Sequence, residues 1–187
     1  MISVTKKELR TEIKNRINGL SEEYKKKSST AIAENVLSSP VFINAKSVFI
    51  YVSTENEPDT SAVIREALKK GKRVFVPKCL QKGIMIPAEI FPDTVFTSGY
   101  MGIPEPKEYD INTSIAGIDL SVIPCLSANK KGDRLGHGAG FYDRFLAAVK
   151  TKKMCLCFGK ILSDDIPTDS HDVKMDYIVT ENGSVKI

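Results

Sequence analysis

The sequence has no apolar run approaching the ~20 residues that a membrane-spanning helix needs. Its opening, Met1-Ile-Ser-Val-Thr-Lys-Lys7, lacks the apolar core of a signal peptide. Cysteine is scarce. Of Cys79, Cys125, Cys155 and Cys157, the last two are separated by one residue inside an apolar run, not by the two of a redox or zinc pair. The expectation is reduced thiols in a cytoplasmic protein, and no zinc site from these and the two histidines. No Gly-x-Ser-x-Gly motif is present, which disfavours serine hydrolase chemistry. Internal repeats, low-complexity stretches and obvious linkers are also missing. Charge of one sign is not in large excess, since 27 basic against 23 acidic side chains leave +4. That suits an anionic small ligand and is too weak to argue for nucleic acid.

What is there is ordinary globular material: 187 residues, 42% hydrophobic and 27% charged, which excludes collagen-like and disordered classes. The length suits a single domain over residues 1–187, with residues 1–40 as a helical pair packing on it. Thr5 with Glu8 makes a capping box, and Leu9, Ile13, Ile17 and Leu20 follow at helical spacing. A second helix starts at Ser21-Glu-Glu and ends near Ser38-Ser39-Pro40. Strands are then expected at Ser47–Ser53, Arg73–Pro77, Met85–Phe91, Ile118–Pro124, Met154–Phe158 and Tyr177–Thr180. Helices are expected after Thr60, with Asp59 or Thr60 as the cap, and over Tyr142–Val149. This alternation predicts a three-layer α/β fold, a mostly parallel sheet with helices on both faces. Right-handed crossovers bring the strand carboxyl ends to one edge, where ligands bind.

The segment from Cys125 to Gly140 is longer than the usual connection between a strand and a helix. It contains Gly132-Asp-Arg134-Leu-Gly136-His-Gly138-Ala-Gly140-Phe-Tyr-Asp143. Crowded glycines before a helix expose amides to a phosphate, and Arg134 can add a cation. The pattern is neither a P-loop nor a dinucleotide fingerprint, because no Gly-Lys-Ser/Thr follows and Phe141 stands where a third glycine belongs. A phosphate cradle is favoured over a mobile connector. Asp143 reads equally as an acid suited to the helix dipole or as a Mg²⁺ contact beside phosphates. Glu57 lies in a turn after a strand, either simply solvated or accepting a hydrogen bond from a ligand ring. Asp172, beside His171, is a plain loop acid or a second Mg²⁺ contact. Lys6, Lys7 and Arg10, with Lys14 and Arg16, form a solvated helix face or a phosphate-binding one.

Five segments occur in order: Lys6-Lys-Glu-Leu-Arg10, Glu57-x-Asp-Thr60, Gly102-Ile-Pro-Glu-Pro106, the glycine segment, and His171-Asp-x-Lys-x-Asp176. Together they resemble the 5-formyltetrahydrofolate cyclo-ligase (methenyltetrahydrofolate synthetase) family over nearly the whole chain. The resemblance implies a fold like that of sugar-phosphate isomerases and CoA transferases. It implies an ATP- and Mg²⁺-dependent ligase converting 5-formyltetrahydrofolate to 5,10-methenyltetrahydrofolate, with ADP and phosphate released. It also implies an ATP site of Lys6, Lys7, Arg10, Arg134, Leu135, Gly136, His137, Gly138, Ala139, Gly140, Phe141 and Tyr142. Folate contacts would be Val52 and Glu57 with His137 to Phe141, Mg²⁺ contacts Asp143 and Asp172, and catalytic groups Arg134 and Glu57. Small-molecule substrates are expected, with no nucleic acid or membrane partner, in a monomer or weak homodimer. The other reading is a catalytically silent nucleotide- or sugar-phosphate-binding module on the same fold.

Overall fold

The Thr5 hydroxyl accepts the Glu8 N–H while the Glu8 carboxylate accepts the Thr5 N–H, so the expected capping box opens helix α1 (Lys6–Asn18). The computed structural model describes residues 4–81, 84–113 and 117–187; Met1–Ser3, part of the opening stretch read above, lie outside them. Ser21 caps α2 (Glu22–Ser38), and Ser39 caps a further short helix, α3 (Pro40–Asn44), which the sequence reading did not anticipate. The alternating part follows: β1 (Ser47–Ile50), α4 (Ser61–Lys69), β2 (Arg73–Gln81), β3 (Ile84–Ile90), β4 (Phe96–Ser98), β5 (Pro104–Pro106) and β6 (Leu120–Pro124). Then come β7 (Ser127–Ala128), β8 (Arg134–Leu135), α5 (Phe141–Ala148), β9 (Lys152–Leu156), β10 (Tyr177–Thr180) and β11 (Gly183–Lys186).

Seven strands form the main sheet in the order β11-β10-β9-β6-β1-β2-β3. The five inner strands are parallel, and the edge strands β3 and β11 run antiparallel to their neighbours. The connection from β1 through α4 steps to β2 on one side; the connection from β6 through α5 steps to β9 on the other. Two right-handed crossovers travelling in opposite directions place α4 and α5 on opposite faces of the sheet. Phe145 of α5 packs on Phe49 of β1 with ring centroids 4.3 Å apart, while α2 contacts both α4 and β10. All four β1 residues are buried, as expected for a strand covered on both faces. Leu9, Ile13 and Ile17 of α1 join the same hydrophobic cluster as the strands.

Several expectations shift in detail. The first strand ends at Ile50, not Ser53, because the chain turns away past Tyr51, whose hydroxyl donates to the Pro58 carbonyl at 2.7 Å. Thr60 occupies the cap position of α4 but makes no side-chain cap; its hydroxyl donates instead to the Tyr51 carbonyl at 2.7 Å. Asp59 takes that role by accepting the Ser61 N–H at 2.9 Å. The long connector after β6 is not all loop, since β7 and β8 pair as a two-stranded ribbon. The β4–β5 hairpin and β11 were also not anticipated, being too short or too polar to carry a period. Among the described residues no helix is long and apolar enough to cross a membrane.

Asp119 joins the two strands at which the sheet reverses. Its carboxylate accepts the Lys46 N–H at 2.7 Å and the Ser47 N–H at 3.0 Å, just ahead of β6 and at the start of β1. Lost hydration at this exposed but hydrogen-bonded carboxyl would push it up, but these N–H donors and the Ser47 hydroxyl outweigh that and hold it below the usual value. A depressed folded-state pKa adds stability above the unfolded value of ~3.9, lost as pH falls through the folded value. Asp119 is solvent-exposed, so Asp119→Ala is expected to destabilise by only about 0.5–1.5 kcal/mol in urea unfolding at neutral pH. The gap to the wild type should narrow below pH ~4.

Candidate active site

A cavity of about 510 Å³ lies beyond the carboxyl ends of β1, β2 and β6, at the reversal between β1 and β6. Open α/β sheets bind ligands at this position because neighbouring loops diverge there. The strand ends contribute Tyr51, Val52, Pro77, Cys79 and Pro124. The glycine segment supplies Arg134 to Asp143, α1 supplies Lys6 and Arg10, and the segment before β10 supplies Asp169, His171 and Asp172. Glu57 enters from the turn after β1, and Tyr100 to Glu105 cover another side.

Of the residues that the resemblance assigns to the site, Lys7 alone lies outside the cavity. It is exposed, whereas Lys6 and Arg10 both line the cavity. The reason is helical spacing: Lys6 and Arg10 are four residues apart and share a face, and Lys7 is turned about 100° from it. Arg16 likewise faces elsewhere and donates to the Lys160 carbonyl. Arg10 does more than line the wall, since its Nε donates to the Gly136 carbonyl at 2.9 Å and ties α1 to the glycine segment.

The glycines are needed for the backbone they allow. Gly138 has φ of 104° and Gly140 of 70°, left-handed values that a side chain strains. Gly140 then leads directly into α5, whose first-turn N–H groups have no partner within the helix. Open amides and a helix amino end carry partial positive charge, which suits an anion.

Arg134 is 8% exposed, so its charge is removed from water. Its Nη2 donates to both Asp143 carboxylate oxygens, at 2.9 and 2.8 Å, and its Nη1 to the Pro124 carbonyl at 3.2 Å. Burial would lower the guanidinium pKa, but Asp143 outweighs it and raises it. The fork is therefore committed within the protein, and its Nε is the buried donor left without a partner. Arg134 thus positions Asp143 as much as it offers charge to a ligand. Asp143 Oδ1 also accepts the Val173 N–H at 3.4 Å, which brings Asp172 and Asp143 onto adjoining segments.

Asp172 accepts from Lys6 Nζ at 2.5 Å and from the Asp169 N–H at 2.6 Å. Partial burial raises its pKa, but Lys6 and the amide prevail and hold it below the ordinary value. His137 is pushed down, first by burial and then by Lys14, Arg134 and Arg10, against an opposing pull from Glu57. His137 is itself solvent-exposed at the cavity wall, which moderates this shift. Glu57 accepts the Thr54 N–H and hydroxyl, each at 2.9 Å, so it is both a turn residue and part of the cavity wall.

Sequence reasoning assigned no role to the β4–β5 hairpin, although Gly102-Ile-Pro-Glu-Pro106 was among the resembling segments. Glu105 is 3% exposed and holds this hairpin to β2. It pairs with Lys78 Nζ at 3.0 Å and accepts the Cys79 N–H at 3.2 Å. Tyr100 meets Phe141 edge-on at 5.6 Å, so hairpin and glycine segment touch across the cavity. Cys79 is unsuited to be a nucleophile, since burial and the Glu105 carboxylate push its thiol up to about 11. Ala128 and Asn129 do not line the cavity; the Asn129 side-chain oxygen accepts the Lys131 and Asp133 N–H groups at 2.9 and 3.0 Å and closes the β7–β8 turn.

Arg134→Ala would strand Asp143 without its counterion. Breaking a buried pair costs ~3–5 kcal/mol. The side chain of Asp143 is 18% exposed, which places the expected loss at the lower end, about 3 kcal/mol by urea unfolding. Arg134→Ala is therefore expected to lose stability as well as whatever activity the cavity has.

A profile of the 5-formyltetrahydrofolate cyclo-ligase family matches residues 2–181. The mouse 5-formyltetrahydrofolate cyclo-ligase is 30% identical over 97% of this chain and 96% of its own length. A probable 5-formyltetrahydrofolate cyclo-ligase of Caenorhabditis elegans is 30% identical over 98% of this chain and 96% of its own. The NMR structure of Aquifex aeolicus 5,10-methenyltetrahydrofolate synthetase superposes with a TM-score of 0.84 at 29% identity, covering 97% of this chain and 92% of that one. A methenyltetrahydrofolate synthetase from Mycoplasma pneumoniae, at 22% identity and a TM-score of 0.74, shares the fold over 95% of this chain and 99% of that one. The glycine cradle, the paired carboxylates and these likenesses agree: the chain belongs to the 5-formyltetrahydrofolate cyclo-ligase family.

Proposed function

We propose that this cavity closes 5-formyltetrahydrofolate to 5,10-methenyltetrahydrofolate at the expense of ATP, in a single-domain cytoplasmic enzyme that works on small molecules alone. The observation that carries this reading is convergence. Glu57, the glycine segment, the Arg134–Asp143 pair and the Lys6–Asp172 pair come from distant parts of the chain and line one cavity.

In this reading the ATP phosphates lie on the amides from Gly136 to Gly140 and on the amino end of α5, with Lys6 and Arg10 balancing their charge. The folate lies along Val52 and Glu57 and reaches the glycine segment between His137 and Phe141. The donors also suit Mg²⁺, a hard cation that takes one or two carboxylates together with phosphate oxygens. Asp143 and Asp172 offer carboxylate oxygens on segments joined by the Val173 N–H. When bound there, Mg²⁺ would supply neutralisation of phosphate charge.

An amide oxygen is a poor leaving group. Transfer of the γ-phosphoryl group to the formyl oxygen releases ADP and turns that oxygen into a leaving phosphate. The N10 lone pair then attacks the formyl carbon, the carbon–oxygen bond breaks with its electrons going to phosphate, and N10 gives up its proton. The chain needs no nucleophile for this. Its residues hold the two substrates in line and balance charge away from water, which is the main contribution a protein makes to phosphoryl transfer.

The test is absorbance of the methenyl product with purified protein. Signal is expected only when 5-formyltetrahydrofolate, ATP and Mg²⁺ are all present. A flat trace from folded protein that still binds ATP would support the catalytically silent module instead. Asp172→Asn is expected to raise the Mg²⁺ concentration needed for half-maximal turnover by about tenfold or more.

A further inference from the structure

Each carboxylate assigned above to Mg²⁺ is already held by a cation of the chain. Asp143 is held by Arg134, and Asp172 by Lys6. The two cations differ in how readily they can leave. The Arg134 side chain is 4% exposed, grips Asp143 with two hydrogen bonds, and is anchored a third time by the Pro124 carbonyl. Lys6 sits on a flexible four-carbon stem in the first turn of α1, with a single donor group facing two acceptors. Its ammonium lies 2.6 Å from Asp169 Oδ2 and 2.5 Å from Asp172 Oδ2.

One ammonium between two carboxylates leaves a net negative charge, enough to attract a dication. A dication entering there would face the ammonium at close range, and like charges at that distance repel even where Asp169 opens the site to solvent. Free metal must therefore displace Lys6 into solvent. The outcome differs once phosphates occupy the glycine segment, because Lys6 lines the same cavity and then has a second anion within reach.

We propose that Lys6 is an exchangeable internal cation, which holds Asp169 and Asp172 in the empty enzyme and transfers to the nucleotide phosphates, so that the divalent metal enters with the nucleotide and not ahead of it. This rests on the reading of Asp172 as a metal contact and adds to it an order of binding and a residue that sets it. Lys6 acts here as a positioning residue, coupling two ligands through one side chain. Such coupling is reciprocal: what the nucleotide adds to metal affinity, the metal adds to nucleotide affinity.

The experiment is Mn²⁺ binding to the full chain, followed by the electron paramagnetic resonance signal of free Mn²⁺. It compares wild type, Lys6→Met, Lys6→Gln and Asp172→Asn, with and without a non-hydrolysable ATP analogue. Wild type should bind Mn²⁺ alone weakly and far more tightly with the analogue. Both Lys6 variants should bind Mn²⁺ alone on the order of tenfold more tightly than wild type. They should bind the analogue less well in the absence of metal. Lys6 variants that bind Mn²⁺ alone no better than wild type overturn the exchange, while loss of analogue-dependent Mn²⁺ binding in Asp172→Asn would leave the metal site standing. Unchanged binding in Asp172→Asn removes the site assignment itself, and the exchange falls with it.

Discussion

The buried pair of Arg134 and Asp143 joins the parts of the molecule that must meet for a site to exist. Arg134 belongs to the short ribbon that follows β6, and its guanidinium reaches back to the Pro124 carbonyl at the end of that strand. Asp143 sits in the first turn of α5 and reaches forward to the Val173 N–H, in the segment that carries Asp172. Strand end, glycine segment, helix and distal loop are thus drawn to one point by two side chains. Coulomb attraction in a site poor in water is strong enough to hold them there, and for the same reason neither partner tolerates removal of the other.

Around that point the cavity is built from opposed charges. Lys6 faces Asp169 and Asp172, Arg134 faces Asp143, and Lys78 faces Glu105. A site that handles polyanions needs cations, but unbalanced buried cations repel one another and destabilise the fold. Pairing each with an acid balances charge along the cavity wall. The glycine segment complements this with fixed amide dipoles, which cost little reorganisation because the backbone already adopts its left-handed turns at Gly138 and Gly140.

Much of this was legible in the residues. The helix starts at Thr5 and Ser21, the buried strand at Ser47 and the parallel alternation all follow from local rules of capping and periodicity, and the structure has them. The glycine segment stood out by composition. Lys7 shows where reading stops: one residue along a helix turns a side chain by about 100°, so neighbours in a charge run need not share a site. The turn before α4 shows the same limit: local rules left Asp59 and Thr60 as alternative caps, and only the contact of the Thr60 hydroxyl with a carbonyl nine residues back left the role to Asp59. The hairpin at Tyr100 and Glu105 was visible as a motif, but nothing local indicated that it would meet Phe141 across the cavity.

By itself the sequence determined the class of fold, the order of the main helices and strands and the glycine-rich segment, because these depend on periods of two and 3.6 residues and on the freedom of glycine. Only the tertiary structure decided which charges pair. Lys6 lies 166 residues from Asp172, and that contact exists because α1 packs beside the edge where β1 and β6 diverge. Whether Arg134 faces a ligand or a carboxylate, and whether an acid stands free or held by an ammonium, depends on distances of a few ångströms between distant segments. Local pattern carries no information on such distances; packing of the whole core sets them.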